Sequence, residues 1–382
     1  SKATGFPIAK IAAKLAVGYT LDELNNDITK ITPASFEPTI DYIVTKIPRF
    51  SFEKFSTASG LLTTSMQSVG EVMSIGRSFN ESLQKGLNSL ETGLNGLNKP
   101  KKLKIKTLYD IEENLRTQSP ERILYIAEAL RNNFNINKVA NITGYNKWFI
   151  EQINEIVLIE KELLNKKFPY SIDYFIKLKN MGFSDSRISE LSKISINKIE
   201  TFKQKNKIEP IFKRVYTCAR EFDSFTPYLY STYSFGAQQL TECESKPSNN
   251  KKVIILGGGP NRIGQGIEFD YCCVHAVQAL KKMGYETIMI NCNPETVSTD
   301  YDTADRLYFE PLTVEKVKDI IKVEKQKGKL LGTIIQFGGQ TPLNIAKEIE
   351  KENPILGTST KSIDLAEDRE DFKKIISKLN LK

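Results

Sequence analysis

Three stretches of this sequence hold residue types that can do chemistry. The apolar run Val253-Ile254-Ile255-Leu256 leads into Gly257-Gly258-Gly259-Pro260 and then Asn261-Arg262-Ile263-Gly264-Gln265-Gly266. Glycines let backbone amides and a helix N-terminus approach an anion, so this turn is a candidate phosphate cradle. Neither common template fits it. A dinucleotide fingerprint begun at Gly257 needs glycine where Arg262 stands, and the second strand ends in Asn291 rather than a ribose-binding acid. A P-loop begun at Gly259 reaches Gly264 but then reads Gln265-Gly266 where Lys-Ser or Lys-Thr is required. A nucleotide site and a tight structural turn both stay open.

The second stretch is acidic. Glu268 and Asp270 follow the Gly-rich turn, and Glu295, Asp300, Asp302 and Asp305 follow the next strand. Ligands of open α/β sheets gather at the carboxyl ends of strands, which places these groups at the working edge, unless they serve only the dipole of a helix N-terminus. The third is Cys272-Cys273-Val274-His275, which holds the single histidine. Adjacent cysteines point to different sides of a helix and no second ligand pair has zinc spacing, so buried thiols and a core histidine are expected. One histidine also leaves little from which to build a His-based triad.

The elements that must position these groups follow from periodicity. From residue 251 the pattern alternates strand, helix, strand: strands at 253–256, 287–290, 307–309 and 331–337, helices at 274–283 and 314–325, the pattern of an open parallel α/β sheet. From about 107 to 243 the pattern is almost wholly helical. Helices are expected at 109–115, 148–164, 172–181, 186–192 and 198–203, with one more capped by Ser119 and opened by Pro120. The aromatic stretch 224–235 and the polar run 245–250 read as a linker. Before residue 90 the sequence predicts helices at 8–15, 21–28 and 78–94 and a strand at 41–47, too little for a complete core of its own.

Composition bounds the class. The chain has 382 residues, 54 Lys plus Arg against 46 Asp plus Glu and a formal net charge of +8, with 40% hydrophobic and 26% charged residues. This is globular and fits two or three domains. No apolar run is long enough to span a bilayer, and five cysteines clustered toward one end suit a reducing compartment, so a cytoplasmic protein with no membrane role is expected. Most basic residues are Lys, and the run 99–106 lacks interleaved aromatics, so no nucleic-acid partner is expected. The sequence opens at Ser1 and stops within a helical pattern at Lys382, as a piece of a longer polypeptide would.

The run Gly257 to Cys273 (GGGPNRIGQGIEFDYCC), then Asn291-Cys292-Asn293-Pro294-Glu295-Thr296-Val297-Ser298-Thr299-Asp300-Tyr301-Asp302 and Gln336-Phe337-Gly338-Gly339-Gln340-Thr341-Pro342, resembles the carbamoyl-phosphate synthase large-chain family. Residues 1–7, 36–50 and Ser68-Val69-Gly70-Glu71-Val72-Met73 resemble it too, in the expected order. The resemblance implies a multidomain α/β plus all-α chain: 1–90 as the end of a first ATP-grasp unit, 91–243 as a helical oligomerisation domain with its linker, and 244–382 as the Rossmann-like pre-ATP-grasp domain of a second unit. It implies synthesis of carbamoyl phosphate from bicarbonate, glutamine-derived ammonia and two ATP, for arginine and pyrimidine biosynthesis. ATP, Mg2+ (or Mn2+) and K+ would be the cofactors, with sites mostly outside this segment, so the segment alone would be inactive. A glutaminase subunit or domain and further copies of the chain would be its partners. The same resemblance makes Arg262, Gly266 and Glu268 wall residues of an interior tunnel, with Glu71 and Glu295 beside its carbamate passage. A non-catalytic oligomerisation module is the alternative for the isolated segment.

Overall fold

Strand-forming runs that are apolar on both sides should sit in the middle of a covered sheet, and 253–256 does. In the computed structural model, which describes residues 1–55, 57–99, 105, 107–216, 221–233 and 242–381, it is the core of β5 (Lys251–Leu256). The other strands of its sheet are β3 (Ile211–Arg214), β4 (Tyr228–Thr232), β6 (Glu286–Asn291), β7 (Arg306–Phe309), β8 (Lys329–Ile334) and β9 (Ile355–Leu356). Their order is β3-β4-β7-β6-β5-β8-β9, parallel throughout except for the antiparallel β3–β4 pair at one edge. Crossovers run through α10 (Glu268–Lys282), α11 (Val314–Glu324) and α12 (Gln340–Glu350), and α13 (Thr360–Glu367) and α14 (Arg369–Lys378) follow β9.

Alternation along each strand feeds two cores. Ile254, Leu256, Ile288, Ile290 and Tyr308 pack under α11 and α12, against Val317, Ile320 and Ile349. Ile255, Met289, Leu307 and Phe309 face the other way, with Cys273 and Val277 of α10. That second core is completed by Ile28, Tyr42, Met73 and Ile75, so the first segment borrows the core it lacks. Its hairpin pairs β1 (Ile43–Arg49) with β2 (Gly70–Gly76), antiparallel, with α2 (Phe79–Ser89) packed on it, while α1 (Ile8–Ala16) packs through Ile11 on Leu24 and Ala34. The third core is helical. α3 (Leu108–Arg116), α4 (Arg122–Arg131), α5 (Ile136–Thr143), α6 (Lys147–Asn165), α7 (Ile172–Asn180), α8 (Asp185–Ser192) and α9 (Ile196–Lys205) bury Leu115, Ile126, Ile150, Ile156, Phe175 and Ile199 together with Val72, Leu83 and Leu87 of the first segment.

Buried charge ties the first segment to the sheet. Lys85 Nζ of α2 donates to Ile75 O at 3.0 Å and to Ser231 O of β4, and stands 3.4 Å from Glu310 and 3.3 Å from Glu81. Burial alone would raise the Glu310 carboxyl, but Lys85 and Lys316 outweigh it and hold Glu310 low.

Several expectations are corrected. Within the stretch 224–235, residues 228–232 are no linker but the fully buried strand β4, Tyr228 and Tyr230 facing one core and Leu229 the other, while 234–235 lie outside the described residues. The division at 243/244 therefore does not mark the sheet's edge, which reaches back to Ile211. The helix expected at 21–28 is a turn, because Asn26 Oδ1 accepts from Ile28 N at 2.9 Å and competes with the helical bond. The helix expected to reach residue 94 stops at Ser89, and Glu91 is left-handed at φ +56°. Ser119 caps nothing; α4 begins at Arg122 with Glu121 at its N-cap. The strand expected at 331–337 ends at Ile334, and Gln336–Gly338 form a 3-10 turn. Helix α10 starts at Glu268, which puts Glu268 and Asp270 in its first turn.

Candidate functional site

Three loops leave the carboxyl edge of the sheet side by side, after β5, β6 and β8. Asn291 at the end of β6 fixes the first two: its Oδ1 accepts from Gly259 N at 3.1 Å and from Cys292 N at 2.9 Å. Asn293 Nδ2 donates to Gly259 O and to Asn261 Oδ1, both at 3.1 Å. The glycines serve this packing. A Cβ on Gly257 would lie 2.5 Å from Asn291 Nδ2, and one on Gly338 would lie 2.4 Å from Gly257 O. The hollow that a pyrophosphate would enter is thus filled by an amide side chain and by backbone. The first turn of α10 adds two carboxylates, which disfavour an anion there.

The outer part of the same loop lines a cleft of about 350 Å³, with Arg262, Gly266 and Glu295 in its wall beside Val69 and Asn261. Glu268 is exposed and accepts from Gly266 N at 3.2 Å through its Oε1, without lining the cleft itself. Glu71 joins from the first segment. Lys46 opposes Met73 and Pro48 opposes Glu71 in the β1–β2 register, so Lys46 and Glu71 are diagonal neighbours on one face and form an ion pair. Lys46 Nζ also lies 4.0 Å from Glu295 Oε1. Partial burial, and then the neighbouring Glu71 carboxylate, push the Glu295 carboxyl up. All five expected residues therefore fall in one neighbourhood, with Lys46 between the Glu71 and Glu295 carboxylates.

The first segment reaches the loop closely. A Cβ on Gly70 would stand 2.6 Å from Asn261 O, and Met73 N donates to Cys292 O at 2.8 Å. Glu91, just past α2, accepts from Arg262 Nη2 at 2.5 Å and from Thr341 Oγ1 at 2.7 Å, and Arg262 also donates to Thr341. Sequence reasoning missed Glu91 and Lys46. No spacing marks Glu91, because its partner is 171 positions away. Strand register would have marked Lys46, given the pairing of β1 with β2.

Other candidates sort differently. Asp270 accepts from Val297 N at 2.8 Å and Ser298 N at 3.2 Å, holding the loop after β6. Asp300 pairs with Lys2 at 2.8 Å. Asp305 is at the wrong edge: β6 and β7 are parallel, so the connection runs back, and Asp305 accepts from Thr287 N at 2.8 Å at the start of β6. His275 is exposed and lies against Tyr271 with the rings tilted and their centroids 4.1 Å apart, not a core residue as expected. Cys272 is half-buried, while Cys273 is buried and its thiol is pushed up to about 12, mainly by burial; Cys218 lies outside the described residues. So does most of the run 99–106. Among the described residues no group of three or more His, Cys, Asp or Glu side chains is placed to hold a metal ion, and no helix is long and apolar enough to cross a membrane. A larger cavity, about 530 Å³ between α9, β3 and α11, is lined by none of the five residues.

The chain is similar to known proteins over its whole length. The family model of the carbamoyl phosphate synthase preATP-grasp domain matches residues 249–365, and that of the carbamoyl-phosphate synthetase large chain oligomerisation domain matches residues 71–207. The carbamoyl phosphate synthase large chains of Buchnera aphidicola and Vibrio cholerae are each 56% identical over 386 residues, covering 100% of this chain and 35% of theirs. That of Brucella melitensis is 54% identical over 389 residues, covering 100% of this chain and 33% of its own. The chain spans about a third of the length of the curated relatives it matches. With two of the family's domains in order and its whole length aligned, the chain belongs to the carbamoyl phosphate synthase large-chain family.

Proposed function

We propose that the chain is the central part of a glutamine-dependent, ATP-driven ligase that makes carbamoyl phosphate from bicarbonate, ammonia and two ATP, in the cytoplasm, for arginine and pyrimidine biosynthesis. In this reading the first segment ends one ATP-grasp unit, the helices join subunits, and the α/β part, taking in β3 and β4, is the Rossmann-like opening of the second unit. The segment supplies assembly surface and tunnel wall, and a glutaminase subunit or domain delivers the ammonia. The carrying observation is the cleft that unites Arg262, Gly266 and Glu295, with Glu71 held beside Glu295 by Lys46.

The chemistry suits that geometry. Carbamate breaks down in water, so a walled passage protects it between two phosphorylation steps. Gly266 leaves bore. Glu71 and Glu295, one of them raised, can take up and return a proton to a passing carbamate or ammonia. ATP, Mg2+ or Mn2+, and K+ belong to the whole enzyme in this proposal. Their sites lie mostly outside this segment in this reading, so neither phosphorylation step is assigned to its residues, and the segment alone would be inactive.

The test is Gly266→Phe in the full-length enzyme. A ring in the cleft is expected to raise glutamine hydrolysed per carbamoyl phosphate formed several-fold; unchanged coupling removes the tunnel reading. A second reading, that the isolated segment acts as an assembly module, rests on the oligomerisation-domain match and on Trp148 and Phe149 of α6, 46% and 44% exposed. Sedimentation of the chain checks it, and a monomer at high concentration counts against it.

A further inference from the structure

Arg262 can form part of a passage wall only if its long side chain is kept from lying across the cleft. A free arginine on a Gly-rich loop has many rotamers, several of which would cross a space of about 350 Å³. The structure holds it at one point. Its Nη2 bonds Glu91 Oε2 at 2.5 Å and also Thr341 Oγ1, while Thr341 bonds the same carboxylate oxygen at 2.7 Å, closing a triangle. The three residues come from the end of α2, the Gly-rich loop and the start of α12, with only 19% of the Glu91 and 24% of the Arg262 side chain exposed.

The anchor itself is fixed. Glu91 is left-handed at φ +56°, a conformation that a non-glycine residue adopts only when its surroundings hold it there. The preceding residue is held as well, Leu90 O accepting from Arg49 Nη1 at 2.8 Å. Further back along α2, Lys85 is locked to Glu310 and Ser231. Gly259 leaves room for the carboxylate, since a Cβ there would lie 2.3 Å from Glu91 Oε1. Arg49 and Arg262 bring two positive charges to this seam, and Glu91 is the carboxylate between them.

We infer that Glu91 is a positioning residue of the passage: it holds the Arg262 guanidinium in the wall and so links the first segment to the loop that opens the second unit. This rests on the tunnel reading of Arg262, and it assigns Glu91 no contact with a reacting group.

The experiment is a double-mutant cycle in the full-length enzyme with Glu91→Gln, Arg262→Gln and the pair. Three quantities are read: ATP consumed per carbamoyl phosphate formed, bicarbonate-dependent ATP hydrolysis without ammonia, and ATP formation from ADP and carbamoyl phosphate. E91Q is expected to raise the first at least threefold while the two partial reactions stay within twofold, and to add nothing in the R262Q background. If E91Q leaves coupling unchanged, adds its full effect to R262Q, or lowers both partial reactions together, the inference is overturned. If R262Q itself leaves coupling unchanged, the tunnel reading fails, and the inference with it. Uncoupling by R262Q without uncoupling by E91Q removes the role of Glu91 alone.

Discussion

Gly259 has no side chain where Glu91 needs space: a Cβ at that position would meet Glu91 Oε1 at 2.3 Å, and its backbone is left-handed at φ +68°. Alanine there must both accept an unfavourable conformation and displace a carboxylate pinned by Arg262 and Thr341. Gly284, left-handed at φ +81° with open space around it, isolates the first cost. Gly284→Ala is expected to lose about 1 kcal/mol in urea unfolding and Gly259→Ala about 1–2 kcal/mol more. Equal losses would mean that the carboxylate gives way freely.

Lys85 lies where the first segment meets the sheet, 5% exposed, beside Glu310 at 0% and Glu81 at 1%. Lys85→Met leaves Glu81 without its buried cation and Glu310 with Lys316 alone, and is expected to cost about 3–5 kcal/mol. The exposed pair Lys351–Glu348, at 2.7 Å, offers the contrast, since solvent screens it and its removal should leave the midpoint almost unchanged. Denaturant midpoints of K85M and K351M report the difference, and similar midpoints would show that the buried network is not what joins the parts.

Glu295 holds its proton more tightly in the folded chain, first through partial burial and then through Glu71. Because its value is raised, the associated stabilisation is present at low pH and fades as pH climbs through the folded value. Glu71→Gln removes the second cause, so the Glu295 midpoint, followed by carboxyl NMR, is expected to fall. A midpoint that stays put in E71Q would show that the two carboxylates titrate independently.

Asp319 on α11 has Oδ2 shut off from solvent with no hydrogen-bond partner, and its carboxyl is pushed up to about 6 by burial, with Lys203 opposing and Glu315 adding to the rise. The unfolded chain releases this proton more readily, so the group's contribution is complete below its ordinary value and is lost as pH rises through about 6. Asp319→Asn should therefore raise the melting temperature at pH 7.5 by about 2–5 °C and do little at pH ~3, where the carboxyl is protonated in both the folded and the unfolded chain. A gain of the same size at both pH values would place the effect in packing.

Much of the frame was legible in sequence because it is local. The alternation after residue 251 is written in runs of about five to ten residues, so β5, β6, β7, α10 and α11 lie close to where periodicity put them. β4 was hidden by its own burial: Tyr228, Leu229 and Tyr230 are all apolar enough to enter a core, so the strand that faces two cores shows no polar alternation. The helix α5 is short, only 8 residues, and so carried little periodic signal.

The sequence by itself determined the family, through the long runs at 257–273 and 291–302. Why Asn291 stands where a dinucleotide fold would carry an acid was decided only in three dimensions, where its amide fills the turn beneath Gly257 and Gly259. The tertiary structure alone put Glu91 on Arg262 across 171 positions, Thr341 on Glu91 across 250, and Lys46 between two carboxylates. Spacing records neighbours within one helix or strand. Contacts between separate elements depend on how their buried faces stack, and a single chain states that only once it has folded.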